Sequence, residues 1–184
     1  MEPMVPPKVG ELAGRVGARA QTRVEGYLRD LTRLVNLDSG TFDAPLVNQV
    51  GCELAVMLER GGWRVERHPA TGFGDHLVAT LPGDGRRRVM LLGHFDTVYP
   101  AGTAATRPLA VREGRVYGPG VLDMKGGLVL GIHAVELLAS FPDLARPDLV
   151  FVLNSDEEVG SPTSRQLIEE AARAADAVYV LEPG

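Results

Sequence analysis

Apolar residues recur at helical spacing through the first part of the chain: Leu12, Val16, Ala20, Val24, Tyr27, Leu28, Leu31, Leu34 and Val35. This periodicity predicts one helix from Glu11 to Val35, ended by Asp38-Ser39-Gly40. A second helix is expected from Pro45 to Arg60, with proline tolerated in its first turn and Gly61-Gly62 as its stop. The pattern then changes. Trp63 to Arg67 and His76 to Leu81 read as strands. Arg88 to Leu92 is short and nearly all apolar, as in a strand covered on both faces. Leu109 to Arg112 and Arg115 to Tyr117 flank Glu113-Gly114 and predict a hairpin. Lys125 to Ser140 reads as a helix, Leu149 to Asn154 as a buried strand, Pro162 to Ala175 as a helix and Ala177 to Leu181 as a last strand. Helices followed by strands alternating with helices predict an α/β fold, a layered sheet with helices on both faces.

Residues 1–10, with three prolines, read as a flexible leader, and 11–184 as one folded unit. The chain stops at Glu182-Pro183-Gly184, directly after a strand, so it reads as the N-terminal part of a longer domain. No secretory h-region and no run of 18 apolar residues is visible, so no membrane span is expected and the cytoplasm is the default compartment. Of 184 residues, 45% are apolar and 23% charged, ordinary values for a globular protein. The net charge of -5 leaves no basic field for a nucleic-acid partner. The densest basic run, Arg86-Arg87-Arg88, reads as a solvated edge. Cys52, without a second cysteine to pair with, is expected to be a buried structural thiol.

Acidic and histidine residues collect where the buried strands end. Val89-Met90-Leu91-Leu92 runs into Gly93-His94-Phe95-Asp96, Leu149 to Leu153 into Asn154-Ser155-Asp156-Glu157-Glu158, and Val178 to Leu181 into Glu182. Ligands of open α/β sheets bind beyond such carboxyl ends. Asp123 stands in a turn-rich segment leading into a helix. Taken singly, each of these residues reads equally as a solvated loop residue or a helix cap. Taken together, so many like charges at one edge repel unless neutralised, and a divalent metal pair is the economical neutraliser. Imidazole with carboxylates suits zinc. His94 and Asp96, two apart in an extended segment, project to one side, so Asp96 can accept the second ring N–H of His94.

Gly93-His94-Phe95-Asp96-Thr97-Val98, Gly118-Pro119-Gly120-Val121-Leu122-Asp123-Met124-Lys125-Gly126-Gly127, Asn154-Ser155-Asp156-Glu157-Glu158-Val159-Gly160-Ser161 and Leu181-Glu182-Pro183 resemble the co-catalytic zinc peptidases and deacylases. That family includes glutamate carboxypeptidase, aminoacylase, acetylornithine deacetylase and succinyl-diaminopimelate desuccinylase. Asp96-Thr97-Val98-Tyr99 and Ser164-Arg165 look most like the glutamate carboxypeptidase branch. The resemblance runs from about Leu28 to the last residue. It implies a di-zinc hydrolase of peptides or N-acyl amino acids, with Co2+ or Mn2+ as possible substitutes, and a homodimeric full-length protein. It also implies that Asp123 bridges two zinc ions, that His94 and Glu182 complete one site, and that Glu158 joins Asp123 on the other. Glu157 would be the general base, Asp96 the partner of His94, and the Asp123–Met124 peptide cis. The family's second site takes a further histidine from beyond an inserted dimerisation domain, and the sequence stops before both. His68, His76 and His133 match no such ligand. Two other readings remain open: a deacylase of N-acyl amino acids using the same site, and an inactive metal-binding fragment.

Overall fold

The computed structural model describes residues 7–142 and 144–183. The expected leader lies outside the described residues from 1 to 6, while 7–10 already belong to helix α1 (Pro7–Gln21). The predicted single N-terminal helix is two, because α2 (Val24–Val35) starts anew after Thr22 and Arg23. The Thr22 hydroxyl donates to the Arg19 carbonyl at 2.8 Å, a local bond of the kind that competes with the helical ladder. Helix α3 (Ala44–Arg60) is capped by Asp43, whose carboxylate accepts from the Leu46 N–H at 3.2 Å. Cys52 corrects the expectation of a buried thiol. It lies on the outer face of α3, exposed, and its sulfur accepts from Arg67 Nη2 at 3.3 Å.

Strands β1 (Arg64–His68), β2 (His76–Leu81) and β3 (Arg88–His94) are followed by the short helix α4 (Thr103–Thr106). A separate ribbon of β4 (Ala110–Arg112) and β5 (Arg115–Tyr117) turns at Glu113 and Gly114. Both turn residues have positive φ, 52° and 73°, as a two-residue hairpin with the right twist requires. Helix α5 (Gly126–Ala139), strand β6 (Asp148–Asn154), helix α6 (Arg165–Arg173) and strand β7 (Ala177–Val180) complete the order. The main sheet runs β1-β2-β6-β3-β7, antiparallel at its first two junctions and parallel at the β6–β3 and β3–β7 junctions. Among the described residues no helix is long and apolar enough to cross a membrane.

The central strands β3 and β6 bury side chains on both faces, alternating along the chain. Leu149, Phe151 and Leu153 of β6 join Leu91 of β3 and Leu77 and Ala79 of β2 in one core with residues of α2, α3 and α5. Met90 and Val152, also fully buried, point to the opposite face, where α6 crosses β3 and β6. The expected layered sheet with helices on both faces is therefore what forms.

Register sets the site. His94, the last residue of β3, pairs with Asn154, the last of β6, and Leu92 pairs with Val180 of β7. The ladder continues with Leu181 N–H donating to the Leu92 carbonyl at 2.9 Å, so Glu182 arrives level with His94. Helix α5 makes this possible by opening on glycine. A β-carbon at Gly127 would collide with the Leu181 carbonyl oxygen. Gly127→Ala is therefore expected to push the chain before Glu182 away from β3. We expect a loss of about 1–3 kcal/mol in stability, read by denaturant melts.

Candidate metal centre

His94 is buried to 1% exposure and forms the floor of the site. Its Nε2 lies 2.9 Å from Asp123 Oδ1, 3.1 Å from Glu182 Oε1 and 3.7 Å from Glu157 Oε2. These carboxylates form an open rim, with side-chain exposures of 56% for Asp123, 48% for Glu157 and 34% for Glu182. Two triads bring ligand atoms within 4.8 Å of one another: His94 with Asp123 and Glu158, and His94 with Glu157 and Glu182. The structure thus gathers all five residues singled out as ligands or base, with Glu157 farther from the imidazole than Asp123 or Glu182. The Asp123–Met124 peptide is cis, as the sequence resemblance implies.

Asp96 has no solvent exposure and faces the other side of the ring. His94 Nδ1 is 3.3 Å from Asp96 Oδ1 and 3.1 Å from its carbonyl oxygen, so an N–H there leaves the Nε2 lone pair for a cation. The same carboxylate accepts from Thr41 Oγ1 at 2.8 Å, Glu157 N–H at 3.2 Å and Glu158 N–H at 3.3 Å. Thr41 escaped the sequence reading. It reaches the site because 39–41 runs beside Thr97, with Thr97 N–H bonded to the Ser39 carbonyl at 2.8 Å. No local pattern announces a contact 55 residues distant in the chain.

The charges in the site act strongly on one another. Burial alone would lower the His94 pKa, but the Asp96 hydrogen bond and the charges of Asp96, Glu182 and Glu157 raise it to about 9. Burial and then neighbouring carboxylates, Asp123 foremost, push Glu158 and Glu182 above their ordinary values, with His94 opposing in both cases. One imidazole among hard carboxylate oxygens, with the imidazole oriented from behind, is a donor set that fits divalent metal. Lys125 supports the Asp123 turn from below. It is buried, its pKa is lowered to about 8 by desolvation, and its ammonium donates to the Leu37 carbonyl at 2.7 Å.

The remaining histidines lie away from this cluster. His133 Nε2 is 3.0 Å from the buried Asp30 carboxylate. His68 pairs in register with His76 across β1 and β2. Burial holds His76 below its ordinary pKa; its Nδ1 accepts from Ser155 N–H at 3.3 Å and its Nε2 faces Thr163 Oγ1 at 3.0 Å.

Two clefts meet at Glu158. One, of about 460 Å³, is lined by Phe42, Val98, Tyr99 and Val159 among others. The second, of about 350 Å³, runs from Tyr99 to the β4–β5 ribbon and includes Asp123 in its wall.

The profile of peptidase family M20/M25/M40 matches residues 90–184, half of the chain and every strand end just described. The chain belongs to that family. It is 37% identical over 158 residues to carboxypeptidase G2 of Pseudomonas sp. (strain RS-16), covering 85% of this chain and 38% of that protein. It is 32% identical over 162 residues to acetylornithine deacetylase of Myxococcus xanthus, covering 83% and 40% respectively. The chain therefore spans about two fifths of these relatives' length. The fold matches human carnosine dipeptidase 1 with a TM-score of 0.78 at 21% identity, over 91% of this chain and 40% of that one. Aminopeptidase PepT from Bacillus cereus matches with a TM-score of 0.72 at 25% identity, over 86% and 43%.

Behind the His94 cluster, Asp156 anchors the loop between β6 and α6. It is fully buried and accepts from Thr163 N–H and Oγ1, both at 2.7 Å, and from Ser164 Oγ at 2.6 Å. These bonds occupy the residues expected to begin the last helix at Pro162, and α6 starts instead at Arg165. Burial alone would raise the Asp156 pKa, but the Ser164 and Thr163 donors outweigh it and hold the group low. A depressed folded pKa contributes stability above the unfolded value, about 3.9, which is lost as pH falls through the folded pKa. Asp156→Asn should lose about 1–3 kcal/mol at neutral pH and show a flatter acid limb below about pH 4 in thermal melts.

Proposed function

We propose that this chain carries most of the chemistry of a zinc-dependent hydrolase that cleaves an amide bond in a small peptide or an N-acyl amino acid. The observation that carries the reading is the convergence of Asp123, Glu157, Glu158 and Glu182 around His94, with Asp96 orienting the ring. In this reading His94, Asp123 and Glu182 would hold one zinc ion, and Asp123 with Glu158 would hold a second; Co2+ or Mn2+ would serve as substitutes. When bound, the ions supply Lewis-acid polarisation of the scissile carbonyl and acidify the attacking water.

The chain's own residues do the rest. Asp96 keeps a proton on His94 Nδ1, so Nε2 presents its lone pair to the site. The same carboxylate grips the N–H groups of Glu157 and Glu158, which fixes where these adjacent side chains diverge. Glu157, on the open rim, takes the proton from the attacking water and returns it to the leaving amine. Similarity to a carboxypeptidase and to a deacetylase supports both peptide and N-acyl amino acid substrates, and a substrate panel separates them. A homodimeric, cytoplasmic full-length protein completes the proposal.

Two measurements test it. Glu157→Gln in the complete protein should retain metal by elemental analysis while kcat falls about 10²–10⁴-fold. Activity within a factor of a few of the unaltered protein would reassign the base. The second test is a ligand count. His94 is the cluster's one imidazole among the described residues, so sharing Asp123 leaves the second site short of a nitrogen ligand. Calorimetric zinc titration of the 184-residue chain should give one tight and one weak equivalent, with almost no hydrolysis. Two tight equivalents with substantial turnover would show that another copy or segment completes the site.

A further inference from the structure

The loop after α2 grips the chain around the site from one side. Asn36 Oδ1 accepts from the Leu109 N–H at 2.8 Å, and the Asp38 carboxylate accepts from the Gly102 and Ala104 N–H groups at 2.7 and 2.8 Å. Gly40 lies so close that a β-carbon there would fall 2.6 Å from the Tyr99 carbonyl oxygen. Thr41 N–H donates to the Thr97 carbonyl at 3.2 Å. Thr41 therefore hangs from a clamped segment, buried to 5% exposure, with the restricted χ1 of a β-branched residue. Its hydroxyl proton has two acceptors in reach, Asp96 Oδ2 at 2.8 Å and the Thr97 carbonyl at 3.4 Å. The nearer acceptor is also the charged one, so the proton goes to Asp96.

The contacts of the Asp96 carboxylate are unequal. Oδ1 faces His94 Nδ1 at 3.3 Å and the Glu157 N–H at 3.2 Å; Oδ2 faces the Glu158 N–H at 3.3 Å and Thr41 at 2.8 Å. The Thr41 bond is the short one, and it sets the angle at which the carboxylate stands. We propose that Thr41 is a positioning residue for the hydrolysis: its hydroxyl holds Asp96 so that the His94 ring and the Glu157–Glu158 turn aim at the metal centre. The inference rests on the hydrolase reading above. Valine at 41 would keep the shape and remove the donor. Oδ2 would then keep one long N–H bond, and the carboxylate would turn toward its remaining partners, carrying the ring and both acidic side chains with it. A metal centre and a general base tolerate little such displacement. Thr41 also lines the larger cleft, and a role as mere cleft wall would act on substrate affinity instead.

Thr41→Val and Thr41→Ser in the complete protein test this, each stripped of metal and titrated with Co2+ beside the unaltered protein. Thr41→Val should weaken Co2+ binding about 10–100-fold and shift the visible absorption bands of the bound ion, which follow ligand geometry. With zinc-loaded proteins and the best substrate from a panel of dipeptides and N-acetyl amino acids, kcat should fall about 10–100-fold while KM stays within a factor of about three. Thr41→Ser keeps the donor and should restore most of both losses. Should Thr41→Val fail to fold, Thr41→Ala carries the same comparison, and a serine variant as impaired as the alanine one would overturn the inference. A loss confined to KM would reduce Thr41 to cleft wall. A lower melting temperature with Co2+ affinity, spectrum and kcat intact would reduce it to a structural residue. Either result overturns the inference and leaves the hydrolase reading standing. No turnover of any panel member by the unaltered zinc-loaded protein would overturn that reading, and the inference with it.

Discussion

The Asp96 carboxylate is the constraint on which the candidate centre depends. Buried without exposure, it would be costly alone, yet its two oxygens face the His94 ring, the Thr41 hydroxyl and the Glu157 and Glu158 N–H groups. One charge thus fixes a ring orientation, the path of the loop after α2 and the direction of two acidic side chains. Removing it would take the acceptor from the Glu157 and Glu158 N–H groups and leave the His94 ring and the Thr41 hydroxyl only main-chain carbonyls. The cluster in front of Asp96 is soft by contrast, half-exposed and crowded with like charge.

A second buried carboxylate repeats the arrangement one layer back. Asp156 gathers Thr163 and Ser164, while His76 and Ser155 meet across the top of β2. Neighbouring positions 154–158 alternate between these duties. Asn154 and Asp156 look inward to the α6 side, and Glu157 and Glu158 look outward to the rim. A strand end allows this division because the ladder has stopped fixing the backbone and buried polar groups take over.

Much of this was legible in the sequence. The apolar runs at 89–92 and 149–153 could only be strands covered on both faces, so the polar residues after them had to sit at one sheet edge. The turn at Glu113-Gly114 was readable because its chemistry is local. What stayed hidden depended on distant partners. The break at Thr22, the late start of α6 after Asp156 takes its first residues, and the approach of Thr41 to Asp96 all come from side-chain bonds that periodicity does not encode. Cys52 was misplaced for a related reason: a small thiol fits an apolar pattern on either face of α3, and only the neighbouring Arg67 shows which face it took.

Strand β7 has a consequence of its own. All four of its residues are exposed, and Val178, Tyr179 and Val180 keep 40%, 60% and 55% of their surface. Its hold on the sheet comes from the β3 ladder and from the Leu181 contact with α5. Amides in so lightly covered a strand exchange with solvent through local opening, well below the cost of global unfolding. Glu182 rides on that strand, whereas His94 is fixed in the core. In the proposed reading, a cation held between the two would also be a clasp on the sheet edge, its occupancy coupled to how long β7 stays closed.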